Sequence, residues 1–411
     1  MYNKMGQEKS KIITYLVFGF ALVVVILNII SLIFPALFIT SFGNSESDFD
    51  SFELGAWTIP FFTINLSILV FGFLYFRKMV PDKISRSFKF ILNFEPSQKI
   101  TIIVFSIMVG FYVFFTIAEI SQLEIDVWQD WKILGPIVEN FPSTEEGPRG
   151  MSVLFVKNFL LFSSQEVFHN VKVIPFIGSI SLVFITYFLT VQITKKRFAG
   201  LVAVAILLQS GTFLRYDTTA TFSNFWTSFY LISLYLVYKK WPLSPLTYLA
   251  SIFSKVITAV FLPMTLFFIF RSSIAKKTKI FLTISYVIIF LVILSTIVFT
   301  ESLGYDKSLT SFDYTEFVAG FTTLVFQLRI DGVVLVFLLP LTIGLFIKSY
   351  QGLQVADSIL VLIAGILLSA PLLVGFTEFN IQPYRWMPLI VFFAIGVGVL
   401  FSKTSTNRSE N

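Results

Sequence analysis

Continuous apolar runs, each about the length of a bilayer-spanning helix, dominate this chain. They cover 12–39, 57–76, 100–118, 173–193, 199–214, 222–238, 280–300, 330–347, 355–375 and 386–402. A soluble fold has no place for them. Of the 411 residues, 56% are hydrophobic and 13% charged, against roughly a quarter charged in ordinary soluble domains, so too little polar surface exists to cover such a core. The runs do not alternate polar and apolar residues, which excludes a membrane β-barrel. Backbone groups in lipid must then be satisfied within each segment, and the expectation is all-α and polytopic. The absence of Cys excludes disulfides, thiol catalysis and iron–sulfur ligation, and the single His169 excludes a multi-histidine metal site.

Charge fixes the expected sidedness. Lys4, Lys9 and Lys11 place the N-terminus inside, loop 40–56 is acidic and outside, and loop 77–99 carries Arg77, Lys78, Lys83, Arg86, Lys89 and Lys99 and is inside. Lys195-Lys196-Arg197, Lys239-Lys240 and the Arg271–Lys279 cluster also read as inside. Residues 243–270 are long for one helix, with Ser254-Lys255 in the middle; two short helices meeting near Lys255 keep the clusters on either side of them on one face. The expected fold therefore has about 12 helices with both termini cytoplasmic in a plasma membrane. Sorted this way, the net charge of +6 becomes +16 inside and −10 outside. The basic excess is a topology signal and does not point to nucleic acid. The sequon Asn65-Leu-Ser falls within an apolar run, and Asn407-Arg-Ser is on the inner tail. Segment 12–39 is too long for a signal-peptide core and lacks a cleavage pattern.

Loop 119–172 is the one long stretch without a spanning run. It opens Glu119-Ile-Ser-Gln-Leu-Glu124-Ile-Asp126-Val-Trp128-Gln-Asp130-Trp131-Lys132, four carboxylates within twelve residues where a helix leaves the membrane. Trp128 and Trp131 suit the headgroup layer. Residues 151–163 and 314–328 are too short to span and read as interfacial helices, which together suggest a roofed cavity on the outer face. A solvated acidic loop is the plainer reading of the same charges.

Ile125-Asp126-Val-Trp128-Gln-Asp130-Trp131-Lys132 is similar to the acidic first-loop motif of the GT-C superfamily of membrane glycosyltransferases. That superfamily includes protein mannosyltransferases, aminoarabinose transferases and oligosaccharyltransferases. The likeness continues in order through Lys195-Lys196-Arg197, Phe213-Leu-Arg215-Tyr216-Asp217, Leu249–Thr258 with Phe261-Leu-Pro263, and Gln382-Pro383-Tyr384-Arg385-Trp-Met-Pro388, covering roughly 100–402. It divides the chain into an N-terminal two-helix extension, 1–98, a GT-C-like module, 99–402, and a tail, 403–411.

What the resemblance implies is an inverting transfer of sugar from a polyprenyl-phosphate donor to a lipid, glycan or protein acceptor on the outer face. A carboxylate takes the acceptor proton, cations stabilise the leaving phosphate and an apolar groove holds the polyprenyl chain. Asp126 matches the catalytic acid of the motif, with Glu124 as second choice. Lys255, Arg385 with Tyr384, and Arg215 are the expected phosphate contacts. Glu119, Asp130, Asp217 and His169 are candidate acceptor or metal contacts. Each also has a plainer role. Lys255 can snorkel to water, Arg215 can pair with Asp217, and His169 can be an ordinary loop residue. Where many members carry a second acidic motif, Thr221-Phe-Ser223-Asn224-Phe225 has no acid. A divalent cation (Mg or Mn) is left open, as is a non-catalytic relative that binds lipid or a complex. A transporter or lipid flippase would show inverted repeats and paired interrupted helices; only one interrupted pair is visible.

Overall fold

The computed structural model describes residues 2–40, 50–142, 154–299, 311–376 and 382–402. The acids Glu46 and Asp48, the start of the expected interfacial stretch 151–163, residues 301–310, the sequon at Asn407 and the tail 403–411 lie outside the described residues.

Among the described residues the chain is all-helical, without strands, and it is a polytopic membrane protein by the length and apolarity of its helices. Among the described residues seven helices are long and apolar enough to cross a membrane: Ser10–Ile33, Thr58–Phe76, Gln98–Ser121, Val173–Thr194, Gly332–Tyr350, Val355–Phe376 and Pro383–Leu400. The expected count of about twelve takes ten apolar runs and the short pair at 243–270 as spans, and the helices Arg197–Leu208, Phe225–Lys239, Ser244–Ser254 and Leu262–Arg271 are too short to join these seven. The 199–214 run stops at Leu208 because Ser210 turns the chain: its hydroxyl accepts the Phe213 N–H at 3.0 Å and starts a separate short helix, Gly211–Tyr216. The 12–39 run ends its helix at Ile33, just before Pro35, whose ring cannot continue one. The 314–328 stretch is three short pieces, Tyr314–Ala319, Gly320–Thr322 and Thr323–Gln327. The Gly320–Thr322 turn is buried, and the Ser31 hydroxyl donates to the Phe321 carbonyl at 2.9 Å. The basic stretch 77–99 contains an amphipathic helix, Asp82–Asn93, with no buried residue.

Burial ranks the helices from centre to edge. The Pro383–Leu400 span is 78% buried, Gln98–Ser121 17% and Thr58–Phe76 11%. The last helix is therefore the axis of the bundle, flanked by Val173–Thr194, Arg197–Leu208, Gly332–Tyr350 and Val355–Phe376. Gly398 permits this approach: a Cβ there would meet the Ala199 carbonyl and Thr190 Cγ2 at 2.7 Å, the small-residue contact by which membrane helices pack without a hydrophobic driving force. At the edge, Asn65 is buried, and its amide donates to the Val336 carbonyl at 3.0 Å. This sequon asparagine joins two helices.

The 243–270 region reverses direction at Lys255. Ser244 donates to the Ser233 carbonyl at 2.7 Å and Ser251 to the Trp226 carbonyl at 2.6 Å, so Ser244–Ser254 runs antiparallel to Phe225–Lys239. The Tyr248 hydroxyl then donates to the Thr258 carbonyl at 2.9 Å, and the Tyr230 and Thr265 hydroxyls meet at 3.0 Å, which carries the Leu262–Arg271 helix back alongside. Lys239-Lys240 and Arg271 consequently share one end of the bundle. At that end the buried Lys196 ammonium donates to the last-turn carbonyls of Leu92 and Phe401, and Lys348 donates to the Ser402 carbonyl at 2.8 Å. Lysines here satisfy the orphan acceptors of helix C-termini.

Candidate functional site

The opposite end gathers the acids. Beyond Thr116 the Gln98–Thr116 helix tightens into a 3₁₀ turn, Ile117–Ser121, and a single helical turn, Glu124–Val127, follows. Lys172, buried at the head of the Val173–Thr194 helix, donates to the Glu119 carbonyl at 3.3 Å and stands 3.6 Å from the Glu124 carboxylate. Glu124 is also buried, and its other oxygen accepts the Thr221 backbone N–H at 2.8 Å. Glu119 is exposed and accepts the Thr218 hydroxyl at 3.3 Å. These bonds fasten three separate segments, 117–124, 170–172 and 217–221, into one surface.

Asp217 is the unusual acid of that surface. It is 1% exposed, and neither carboxylate oxygen has a partner at hydrogen-bond distance. The Tyr112 and Thr116 hydroxyls and the Thr218 backbone N–H face the carboxylate and partly favour its charged form, while Glu119 adds a like charge. Burial, reinforced by Glu119, pushes the Asp217 carboxyl up to about 7. Between about pH 4 and 7 the folded chain thus retains a proton that the unfolded chain has released. Stability from this site falls as pH rises through that window and stays level above it. Asp217→Asn removes the titration. Relative to the parent protein, its stability is expected to rise by about 3 kcal/mol between pH 5 and pH 8, read as a widening difference in thermal midpoint. A midpoint difference that is the same at both pH values would contradict the assignment.

Beside Asp217 the chain builds an aromatic floor. Trp128 stacks on Tyr216 at 5.2 Å between ring centroids and meets Phe222 edge-on at 5.0 Å, and Phe222 stacks on Tyr384 at 4.4 Å. Cations ring this floor. The Lys255 ammonium is 3.7 Å from the Tyr384 centroid and 5.6 Å from that of Trp226. The Arg385 guanidinium is 5.9 Å from Tyr384, and Arg215 lies 5.6 Å over Trp128. Such contacts hold a cation where ring faces are negative. Lys255 reaches this position because it sits in extended backbone at the hairpin reversal.

Buried polar atoms without a protein partner concentrate on the segment that joins the two parts. Besides Asp217 they are the Thr221, Ser223 and Thr227 hydroxyls, the Asn224 amide oxygen and the Trp226 indole nitrogen; the Trp386 indole nitrogen adds to them. Native interiors pair nearly all such groups, so a run of them marks a polar-lined surface suited to a ligand. A cavity of about 440 Å³ opens nearby, lined by Met108, Phe111, Tyr112, Phe115, Thr116 and Leu208, among others.

The structure thus brings together Glu119, Glu124 and Asp217, and, through shared aromatic partners, Lys255, Arg385, Tyr384 and Arg215. Asp126 is exposed on the turn that begins with Glu124, and its carboxylate has no hydrogen-bond or ion-pair partner among the described residues. Asp130 is exposed at the start of the Trp131–Glu139 helix without a side-chain capping bond. His169 is exposed and ends the Phe155–Phe168 helix in a left-handed conformation, φ 51°, which is a chain-turning position. The structural pairing of Arg215 with Asp217 is not formed; the guanidinium lies over the rings instead, and Asp217 points into the interior. Lys172, Tyr112 and Thr116 were not among the sequence candidates. A signal existed for two of them: Tyr112, Thr116 and Glu119 recur at helical spacing on one face of an otherwise apolar run. Among the described residues no group of three or more His, Asp or Glu is placed to hold a metal ion.

Comparison of the chain with protein-family models, with curated proteins and with solved structures finds no match.

Proposed function

We propose that this chain is a membrane glycosyltransferase that transfers a sugar, with inversion, from a polyprenyl-phosphate donor to an acceptor on the outer face of the plasma membrane. In this reading residues 99–402 are a GT-C-like module, 1–98 a helical extension, and both termini are cytoplasmic. The observation that carries the reading is the single surface on which carboxylates adjoin an aromatic floor ringed by Lys255, Arg385 and Arg215. Aromatic faces suit the C–H face of a pyranose, and cations suit the phosphate that leaves.

In the reaction the acceptor hydroxyl oxygen attacks the anomeric carbon. The bond from that carbon to the phosphate oxygen breaks, and the electron pair departs on the phosphate toward Lys255 and Arg385. The hydroxyl proton passes to the Asp126 carboxylate, which the structure leaves exposed and unpaired. Glu124 is a positioning residue: held by Lys172 and the Thr221 N–H, it keeps the Asp126 turn against the 217–221 segment.

The test is transfer by the purified protein in vesicles, given a radiolabelled polyprenyl-phosphate sugar and a membrane extract as acceptor. Label is expected in the extract with release of polyprenyl phosphate. Lys255→Gln is expected to raise the donor KM about 10–100-fold, the loss of one charged hydrogen bond to phosphate. Labelled donor that crosses the vesicle bilayer intact, with no transfer, would instead identify a lipid transporter.

A further inference from the structure

The apolar cavity abuts the Asp217 site through Tyr112 and Thr116. Tyr112 and Thr116 line the cavity between the Gln98–Thr116 and Arg197–Leu208 helices, and their hydroxyls face the Asp217 carboxylate. The walls further along are hydrocarbon, from Met108, Phe111, Phe115 and Leu208. One end of this groove is therefore greasy. The other is walled by Tyr112 and Thr116, directly behind which lies Asp217, buried and without a close hydrogen-bond partner on either oxygen, with Glu119 reaching the neighbouring Thr218 hydroxyl.

That arrangement selects by charge. A phosphate at the polar end would lie near the Asp217 and Glu119 carboxylates and be repelled, whereas Lys255 and Arg385 stand against Tyr384, whose ring meets that of Tyr216. A group that donates hydrogen bonds meets the opposite situation, because it supplies what the buried Asp217 oxygens lack. A chain of apolar carbons attached to that group fills the groove.

We propose that this groove binds a membrane amphiphile whose head is an alcohol or an amine, with the head on Asp217 and Tyr112 and the chain between the two helices. Resting on the transferase reading, this makes the acceptor a lipid and not a soluble glycan or protein. The head lies one residue from Tyr216 of the aromatic floor, so donor and acceptor meet across the Tyr216–Asp217 step.

The natural absence of Cys gives a direct assay. Leu214 lines the groove, and Leu214→Cys provides a single thiol whose alkylation by a maleimide reports occupancy. The protein is held in neutral-lipid nanodiscs with no sugar donor present, and dodecanol, dodecylamine or dodecyl phosphate is titrated in. Dodecanol, dodecylamine or both are expected to slow labelling, which distinguishes an alcohol head from an amine head, while dodecyl phosphate leaves the rate unchanged. Asp217→Asn in the same background is expected to raise the half-protecting concentration about tenfold. Tyr112→Phe gives the same test, with a smaller shift, should the Asn variant not fold. Protection by dodecyl phosphate equal to that by the alcohol and the amine, or protection unaffected by both substitutions, overturns the proposal. The assay involves no transfer. Lost protection with transfer intact removes the lipid-acceptor assignment alone, and protection without any transfer in the vesicle assay removes the transferase reading alone.

Discussion

Asp357→Ala is expected to destabilise the protein by about 3–5 kcal/mol, the cost of leaving a buried charge without its partner. Asp357 is fully buried in the first turn of Val355–Phe376, at the lysine-lined end of the bundle. Its carboxylate forms an ion pair with the buried Arg271 guanidinium and accepts the Thr14 hydroxyl at 2.9 Å. Thr14 also meets the Ser349 hydroxyl at 3.1 Å, and Arg271 reaches the Ser10 hydroxyl at 3.3 Å. Four helices, Tyr2–Ile33, Leu262–Arg271, Gly332–Tyr350 and Val355–Phe376, are thereby tied at one point. Removing the carboxylate leaves the guanidinium desolvated, with its Nε already lacking a partner. Replacing both members with apolar residues, Arg271→Met with Asp357→Leu, is expected to cost much less than either single change, because no orphan charge remains. Thermal unfolding of the four proteins in detergent measures the cycle. Additive losses would show that the pair does not couple.

The same residues show where sequence reading reaches and where it stops. Segment 173–193 emerges as Val173–Thr194 and 355–375 as Val355–Phe376, because an uninterrupted apolar run in lipid has one way to satisfy its backbone. Run ends were harder to place. Ser210 in the 199–214 run acts as a cap, and a single hydroxyl is invisible to a hydropathy window. Charge sorting by sign treats Arg271 and Asp357 as two unrelated surface residues, although they lie 86 positions apart and meet in the interior. The reversal at Lys255 was legible because sidedness demanded it. The aromatic contacts that receive Lys255 were not, since Trp226 and Tyr384 come from distant segments. For the acids, residue type and neighbourhood in sequence pointed to Asp126, but burial separates Asp126, Glu124 and Asp217 into three different environments, and burial is a property of the packed chain.

Those environments assign different consequences to otherwise similar substitutions. Asp126→Asn is expected to lower the turnover of sugar transfer about 10²–10⁴-fold, the usual contribution of a positioned general base. The side chain is exposed and unpaired, so the melting midpoint should hold within about 0.5 kcal/mol of stability, and donor affinity should be unchanged because the proposed phosphate contacts are Lys255 and Arg385. Glu124→Gln has the opposite profile. Its carboxylate is buried between Lys172 and the Thr221 N–H, and neutralising it strands the Lys172 ammonium. Melting then falls, and transfer falls with it. Comparison of kcat, KM and melting midpoint across Asp126→Asn, Glu124→Gln and Asp217→Asn separates the base from the two supporting acids. Full turnover in Asp126→Asn, combined with loss of turnover without any fall in melting midpoint in Asp217→Asn, would move the base to Asp217. In that case the proton would leave the acceptor at the groove end of the site, one residue beyond Tyr216.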